Sequence, residues 1–334
     1  MTDFPRKFAS GPIMLAASLV AVFALAGCRQ SASSSPGLVK GNDLYVQGAI
    51  AHQSGDDNRA LAALQSALQE NPNLIMARFL LGNIYRDKSE YAAAAEQYKR
   101  VVELDPYVAA NHYNLGLMYH LLSRLQDAAS AYLDALKLNP QDLKSNMYLG
   151  MAYAALGRAD LGLPYVQKAA EIDPKNPDAA ANLAVVLDTL GEYSAAEAGY
   201  RRALELDSGR IETIVNLAGC LMSQKRFKEA TQLYEEALRS KDSTLLRQRY
   251  GAALVQSGDL DLAIQQFDAA LKLNPQNYHA YNGLGDARIA QYRKSSLLDE
   301  AKRAEAIKNW KQSLSLNPDQ PRIAALVKEF SEGM

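Results

Sequence analysis

The chain has 334 residues, with 36 basic and 37 acidic side chains, 4 histidines, 48% hydrophobic and 22% charged content. That balance excludes a strongly basic nucleic-acid binder and an acidic tail protein, because neither field is present. The apolar share is that of a folded chain rather than a disordered one, and 2 cysteines are too few for a disulfide framework or a cysteine-built zinc site.

The first predicted element is an address. Arg6 and Lys7 precede an uncharged apolar run from Gly11 to Ala26, which closes on Leu25-Ala26-Gly27-Cys28. A basic start, a short apolar stretch and small residues before a cut predict a secretory signal peptide over residues 1–27. The run is shorter than the roughly 20 residues of a membrane-spanning helix. The Leu-Ala-Gly-Cys segment resembles the lipobox of bacterial lipoproteins. That resemblance implies cleavage before Cys28, acylation of Cys28, and anchoring in a bacterial membrane, the outer one facing the periplasm because Arg29 is not aspartate. Two or three acyl chains anchor stably where one is marginal. Residues 28–40, with four serines, Pro36 and Gly37, read as a flexible tether behind that anchor.

A repeat follows. Pro72, Pro106, Pro140 and Pro174 stand 34 residues apart, and Pro275 falls near the same grid. Units set on this spacing start at residues 41, 75, 109, 143, 177, 211, 244 and 278. Position 8 is glycine or alanine in every unit, as at Gly48, Gly82, Gly116 and Ala184. Position 20 is equally small, from Ala60 to Ala306. Position 24 is large: Leu64, Tyr98, Tyr132, Val166, Tyr200, Tyr234, Phe267 and Trp310. Small residues at 8 and 20 let two antiparallel helices approach, and the large residue fills the adjacent gap. Gly55, Gly157, Gly191 and Gly258 at position 15 end the first helix of a pair, and the Asn-Pro or Asp-Pro near position 32 ends the second. No sustained two-residue alternation suggests a strand.

Three departures are visible. The sixth unit lacks its proline and is one residue short. The eighth carries about nine extra residues around 291–300, which predicts longer helices or a looped turn. Gly162 and Pro164 in the fourth unit predict a second helix that starts late or bends. Residues 321–334 predict a capping helix, with Pro321 first and Ile323, Leu326, Val327 and Phe330 as its apolar stripe.

The run Asn114-Leu115-Gly116, Tyr119, Ala128, Tyr132, Ala135 and Pro140 resembles the tetratricopeptide repeat, and the likeness covers residues 41–320. It implies an all-α fold: a right-handed superhelical solenoid of about eight helix hairpins with a capping helix, its first (A) helices lining a concave groove. In that family positions 2, 5, 6, 9, 12 and 13 face the groove. Position 6 holds Asn114, Asn182 and Asn216, similar to the asparagine ladders that bind extended peptide backbone. An amide supplies both a donor and an acceptor for this; the alternative is a polar residue facing solvent. Position 5 holds Tyr45, Phe79, Tyr113 and Met147, which either line the groove for an amphipathic segment or pack between neighbouring A helices.

Nothing catalytic stands out. His52, His112, His120 and His279 are scattered, and no phosphate loop, nucleophile elbow or dinucleotide fingerprint is present. Cys220 reads as a small core residue and Trp310 as packing. No cofactor, metal or nucleic acid is expected. The resemblance implies a non-enzymatic envelope lipoprotein that binds protein or peptide partners, assisting a type IV or Tad-type pilus or its secretin. The same resemblance also admits exopolysaccharide export or regulation of peptidoglycan enzymes.

Overall fold

The computed structural model describes residues 36–332, and among them every regular element is an α-helix. The A helices are α1 (Pro36–Gln53), α3 (Ile75–Asp87), α5 (Ala109–Leu121), α7 (Leu143–Ala155), α9 (Pro177–Thr189), α11 (Ile211–Ser223), α13 (Thr244–Ser257) and α15 (Tyr278–Lys294). The B helices are α2 (Asp57–Glu70), α4 (Tyr91–Leu104), α6 (Leu125–Leu138), α8 (Ala159–Ile172), α10 (Tyr193–Leu206), α12 (Phe227–Ser240), α14 (Leu260–Leu273) and α16 (Glu300–Leu316). A last helix, α17 (Pro321–Ser331), closes the stack. Seven A helices thus begin on the residues that the 34-residue spacing predicts. Each B helix packs on its own A helix, and the first seven also pack on the next repeat's A helix, with α17 taking that place beside α16, which makes one solenoid.

The hairpins close where the small columns predict. A Cβ added to Gly116 would sit 2.7 Å from Cε1 of the fully buried Tyr132, so only glycine admits that ring. Ala60, Ala94, Ala128, Ala196, Ala230, Ala263 and Ala306 are all 0% exposed. Trp310 is fully buried in the position-24 column, and Cys220 is buried in the core. Position 15 is left-handed at Gly55, Gly157, Gly191 and Gly258, with φ from 73° to 92°. Ser89, Ser123 and Lys225 occupy the same position at φ 59–61°. The hairpin therefore demands this conformation even where the side chain opposes it.

The turns between repeats carry a latch that the columns did not suggest. At position 4, Arg78 Nε donates to the Pro72 carbonyl at 2.8 Å, His112 Nε2 to that of Pro106 at 2.8 Å, and Asn146 Nδ2 to that of Pro140 at 3.1 Å. Three different side chains satisfy one backbone acceptor that the turn leaves without a helical donor.

Two expectations are corrected. The tether does not run to residue 40: α1 begins at Pro36, whose fixed φ and missing N–H suit a first helical position, and Lys40 already pairs with Glu70 of α2 at 2.6 Å. Helix α8 does not start late: it begins at Ala159, the same position of the repeat as the other B helices from α2 to α14, with Pro164 inside it. The Asp160 carbonyl, which loses its helical donor to the proline, belongs to an exposed residue. The signal sequence, Cys28 and the start of the tether lie outside the described residues. In the eighth repeat both helices lengthen to 17 residues, joined by a turn with Ser296 and Leu297 at positive φ. Ile323 of α17 is 2% exposed, and Phe330 lies 5.8 Å from Trp310.

Candidate functional site

The A helices form the inner layer of the solenoid, with α5 touching α7, α7 touching α9 and α9 touching α11. Along this layer position 2 is exposed in every repeat, from Asn42 to His279, whereas most residues at positions 6, 9 and 12 are half-buried. That graded exposure describes a groove with a floor and a rim.

Asn114, Asn182 and Asn216 lie on the floor, half-buried. Among the described residues none of the three amides hydrogen-bonds to another group of the chain. This contrasts with Asn111 and Asn146, buried asparagines that are spent on turn carbonyls. The rung between Asn114 and Asn182 is Tyr148. It hydrogen-bonds Tyr113, and burial, reinforced by Tyr148, pushes the Tyr113 hydroxyl up. Tyr132 stacks on Tyr148 at 5.9 Å, and His120 meets Tyr148 edge-on at 5.9 Å. Burial pushes the His120 imidazole down.

Position 5 serves packing more than the groove. Met147 is 9% exposed and sits among Ala169, Ala179 and Leu143. Phe79 stands edge-on to Tyr98 at 5.9 Å, and Tyr113 rests between Tyr132 and Tyr148. Tyr45 packs half-buried on the first-repeat core. The structure thus brings the three asparagines to one open face and draws most of the position-5 stripe between the hairpins.

Asn83, Asp188 and Asp286, which the sequence did not single out, complete this face. The large residues of position 24 reach toward it: Tyr98 donates to Asn83 Oδ1 at 2.6 Å, Tyr200 to Asp188 Oδ2 at 3.4 Å, and Trp310 Nε1 to Asp286 at 3.3 Å. Burial pushes the Tyr98 hydroxyl up to about 12. It also raises the half-buried Asp188 carboxyl, against a smaller opposing effect of its hydrogen bonds from Tyr200 and Cys220. The Cys220 Sγ faces the Tyr193 carbonyl at 3.4 Å, and burial pushes its thiol up, away from the reactive thiolate. Among the described residues no group of three or more His, Cys, Asp or Glu is placed to hold a metal. No helix there is long and apolar enough to cross a membrane.

Family profiles described as tetratricopeptide repeat match residues 79–142, 122–177, 165–198 and 190–248, and one described as TPR repeat matches 251–293. A general transcriptional corepressor, trfA, of Dictyostelium discoideum is 34% identical over 58 residues, which are 17% of this chain and 4% of that protein. The chain therefore spans only a small part of that relative's length. Among solved structures, the APC/C hetero-tetramer Cut9-Hcn1 superimposes with a TM-score of 0.58 at 16% identity, over 89% of this chain and 56% of the other. The pilF structure of Pseudomonas aeruginosa superimposes with a TM-score of 0.51 at 20% identity, over 64% of this chain and 96% of the other. These likenesses concern the fold. With profiles matching more than half of its residues, on hairpins that begin where its 34-residue spacing predicts, the chain belongs to the tetratricopeptide repeat family.

Proposed function

We propose that this protein is a non-enzymatic scaffold of the bacterial envelope, held by acyl chains on Cys28 and facing the periplasm from the outer membrane. Its groove binds a segment of a protein partner. The observation that carries the reading is the set of three half-buried amides, Asn114, Asn182 and Asn216, on one face with no partner of their own. An amide that no other group of the chain engages is free for a partner, whose peptide groups match both its donor and its acceptor. Anchoring rests on the Leu25-Ala26-Gly27-Cys28 segment. On that reading the partner belongs to an envelope machine, a pilus or its secretin.

In-cell crosslinking followed by membrane fractionation tests both parts. Replacing Asn114, Asn182 and Asn216 together with Ala is expected to reduce the crosslinked partner while leaving the helical content unchanged. Cys28→Ser is expected to release the protein from the membrane. Unchanged capture removes the groove assignment; unchanged membrane retention removes the anchor.

A further inference from the structure

Gly219 lies inside α11 at groove position 9, and packing does not require it. A Cβ built there meets no atom within 4 Å. Gly283, on the floor of the eighth repeat, differs: its Cβ would enter the Phe267 ring. Glycine inside a helix is less stable than alanine, through backbone entropy. At Gly219 the chain keeps the weaker residue, and what it obtains is an open notch in the groove floor.

The surroundings of that notch are chemically specific. Asp188 stands at groove position 12 of α9, the A helix that touches α11, so its carboxylate lies on the same half-buried floor as the notch. Asp188 accepts a long hydrogen bond from Tyr200 at 3.4 Å, is half-buried, and makes no ion pair among the described residues. Asn216 lies one turn before Gly219 on the same face, and Met222 one turn after it, half-buried. On the far flank, Arg249 of α13 is half-buried and also makes no ion pair among the described residues. The A helices before and after α11 thus carry opposite charges at half-buried positions, Asp188 on α9 and Arg249 on α13. The nearby rim carboxylates Asp178 and Glu212 are already matched to Arg210 and Lys241.

We propose that the Gly219 notch receives a lysine or arginine side chain of the bound protein segment, its stem over Gly219 and Met222 and its cation at Asp188. This rests on the groove reading above. A half-buried carboxylate without a counter-ion is an unfavourable state that an incoming cation relieves. A long basic side chain also suits a narrow apolar floor, because its methylene stem packs while its head stays polar. Arg249 repels a second cation on its side and so sets the direction in which the segment lies.

The test uses the full chain and a randomised library of extended peptides, selected on the wild type and on four variants. The variants are Gly219→Leu, Gly219→Ala, Asp188→Asn and the triple Asn114, Asn182, Asn216→Ala. The wild type is expected to enrich peptides with Lys or Arg at one position. A selected peptide should bind about tenfold more weakly to Gly219→Leu and to Asp188→Asn, as expected for the loss of one charge-matched contact. Gly219→Ala, which adds one methyl to open space, should melt at or above the wild-type temperature. A lower melting temperature would show that packing needs the glycine and overturns the proposal. Selected peptides without basic enrichment, or an enrichment that survives both Gly219→Leu and Asp188→Asn, overturn it too and leave the groove reading standing. If the wild type retains no peptide, or the triple variant retains as much as the wild type, the groove reading falls and this inference falls with it.

Discussion

Asp188 shows how one side chain links packing to the groove. It is the acceptor for the buried Tyr200 hydroxyl, and burial holds its carboxyl above the usual carboxylate range. Below that range it is protonated in both folded and unfolded chains. Between that range and its raised value the folded chain keeps a proton that the unfolded chain has lost. Stability therefore falls as pH rises across this window and levels off above it. Asp188→Asn keeps an acceptor for Tyr200 and removes the ionisation. Thermal melts over the acidic range should show that slope flattened, and a higher melting temperature than wild type at neutral pH. Gly116 illustrates the opposite constraint. Alanine is favoured in a helix by about 1 kcal/mol, yet its Cβ would meet the Tyr132 ring at 2.7 Å. Overpacking a closed core costs about 1–3 kcal/mol, so Gly116→Ala should lower stability in a denaturant titration despite its helix propensity.

At the scale of the hairpin, one backbone conformation recurs whatever residue supplies it. Position 15 is left-handed at four glycines and also at Ser89, Ser123 and Lys225. The turn was legible where glycine marked it. It was not legible at Lys225, because nothing in a lysine's chemistry announces a left-handed backbone; the packing of α11 on α12 imposes it. Lys225→Gly removes that strain, at some cost in the entropy of the unfolded chain. The net effect is expected to be a gain of about 0.5–1 kcal/mol in chemical denaturation. The position-4 latches escaped the sequence for a related reason. Arg78, His112 and Asn146 share no residue type, only a donor that reaches the same proline carbonyl.

At the scale of the whole solenoid, the two ends differ from the middle. Position 7 is a buried Leu or Tyr in most of the repeats from the second onward, as at Leu81, Leu115, Leu149 and Leu217. In the first repeat it is the exposed Gln47, and position 3 is the exposed Asp43. The face of α1 that would otherwise meet a preceding hairpin is thus polar in these two columns, while Ile50 at position 10 of the same face is an exposed apolar side chain. The other end is covered by α17, through Ile323 and Phe330 against the Trp310 region. Because each repeat leans only on its neighbours, deleting residues 321–334 should loosen the eighth repeat first. Hydrogen exchange should then show α15 and α16 losing protection while α5 to α8 keep theirs; uniform loss along the chain would contradict the nearest-neighbour picture.

The sequence alone determined the helical class, the number of hairpins and their register. The reason is steric: two helices can close only where small columns face a large one, and that requirement repeats every 34 residues. Tertiary structure decided which side chains remain for a partner. Met147 and Asn114 occupy adjacent groove columns, yet Met147 is enclosed by Ala169 and Ala179 while the Asn114 amide is left without a hydrogen bond. Exposure on the floor depends on what the next repeat puts opposite each side chain. The openness of Gly219 is likewise a property of α9, α11 and α13 together, and no one of these helices encodes it.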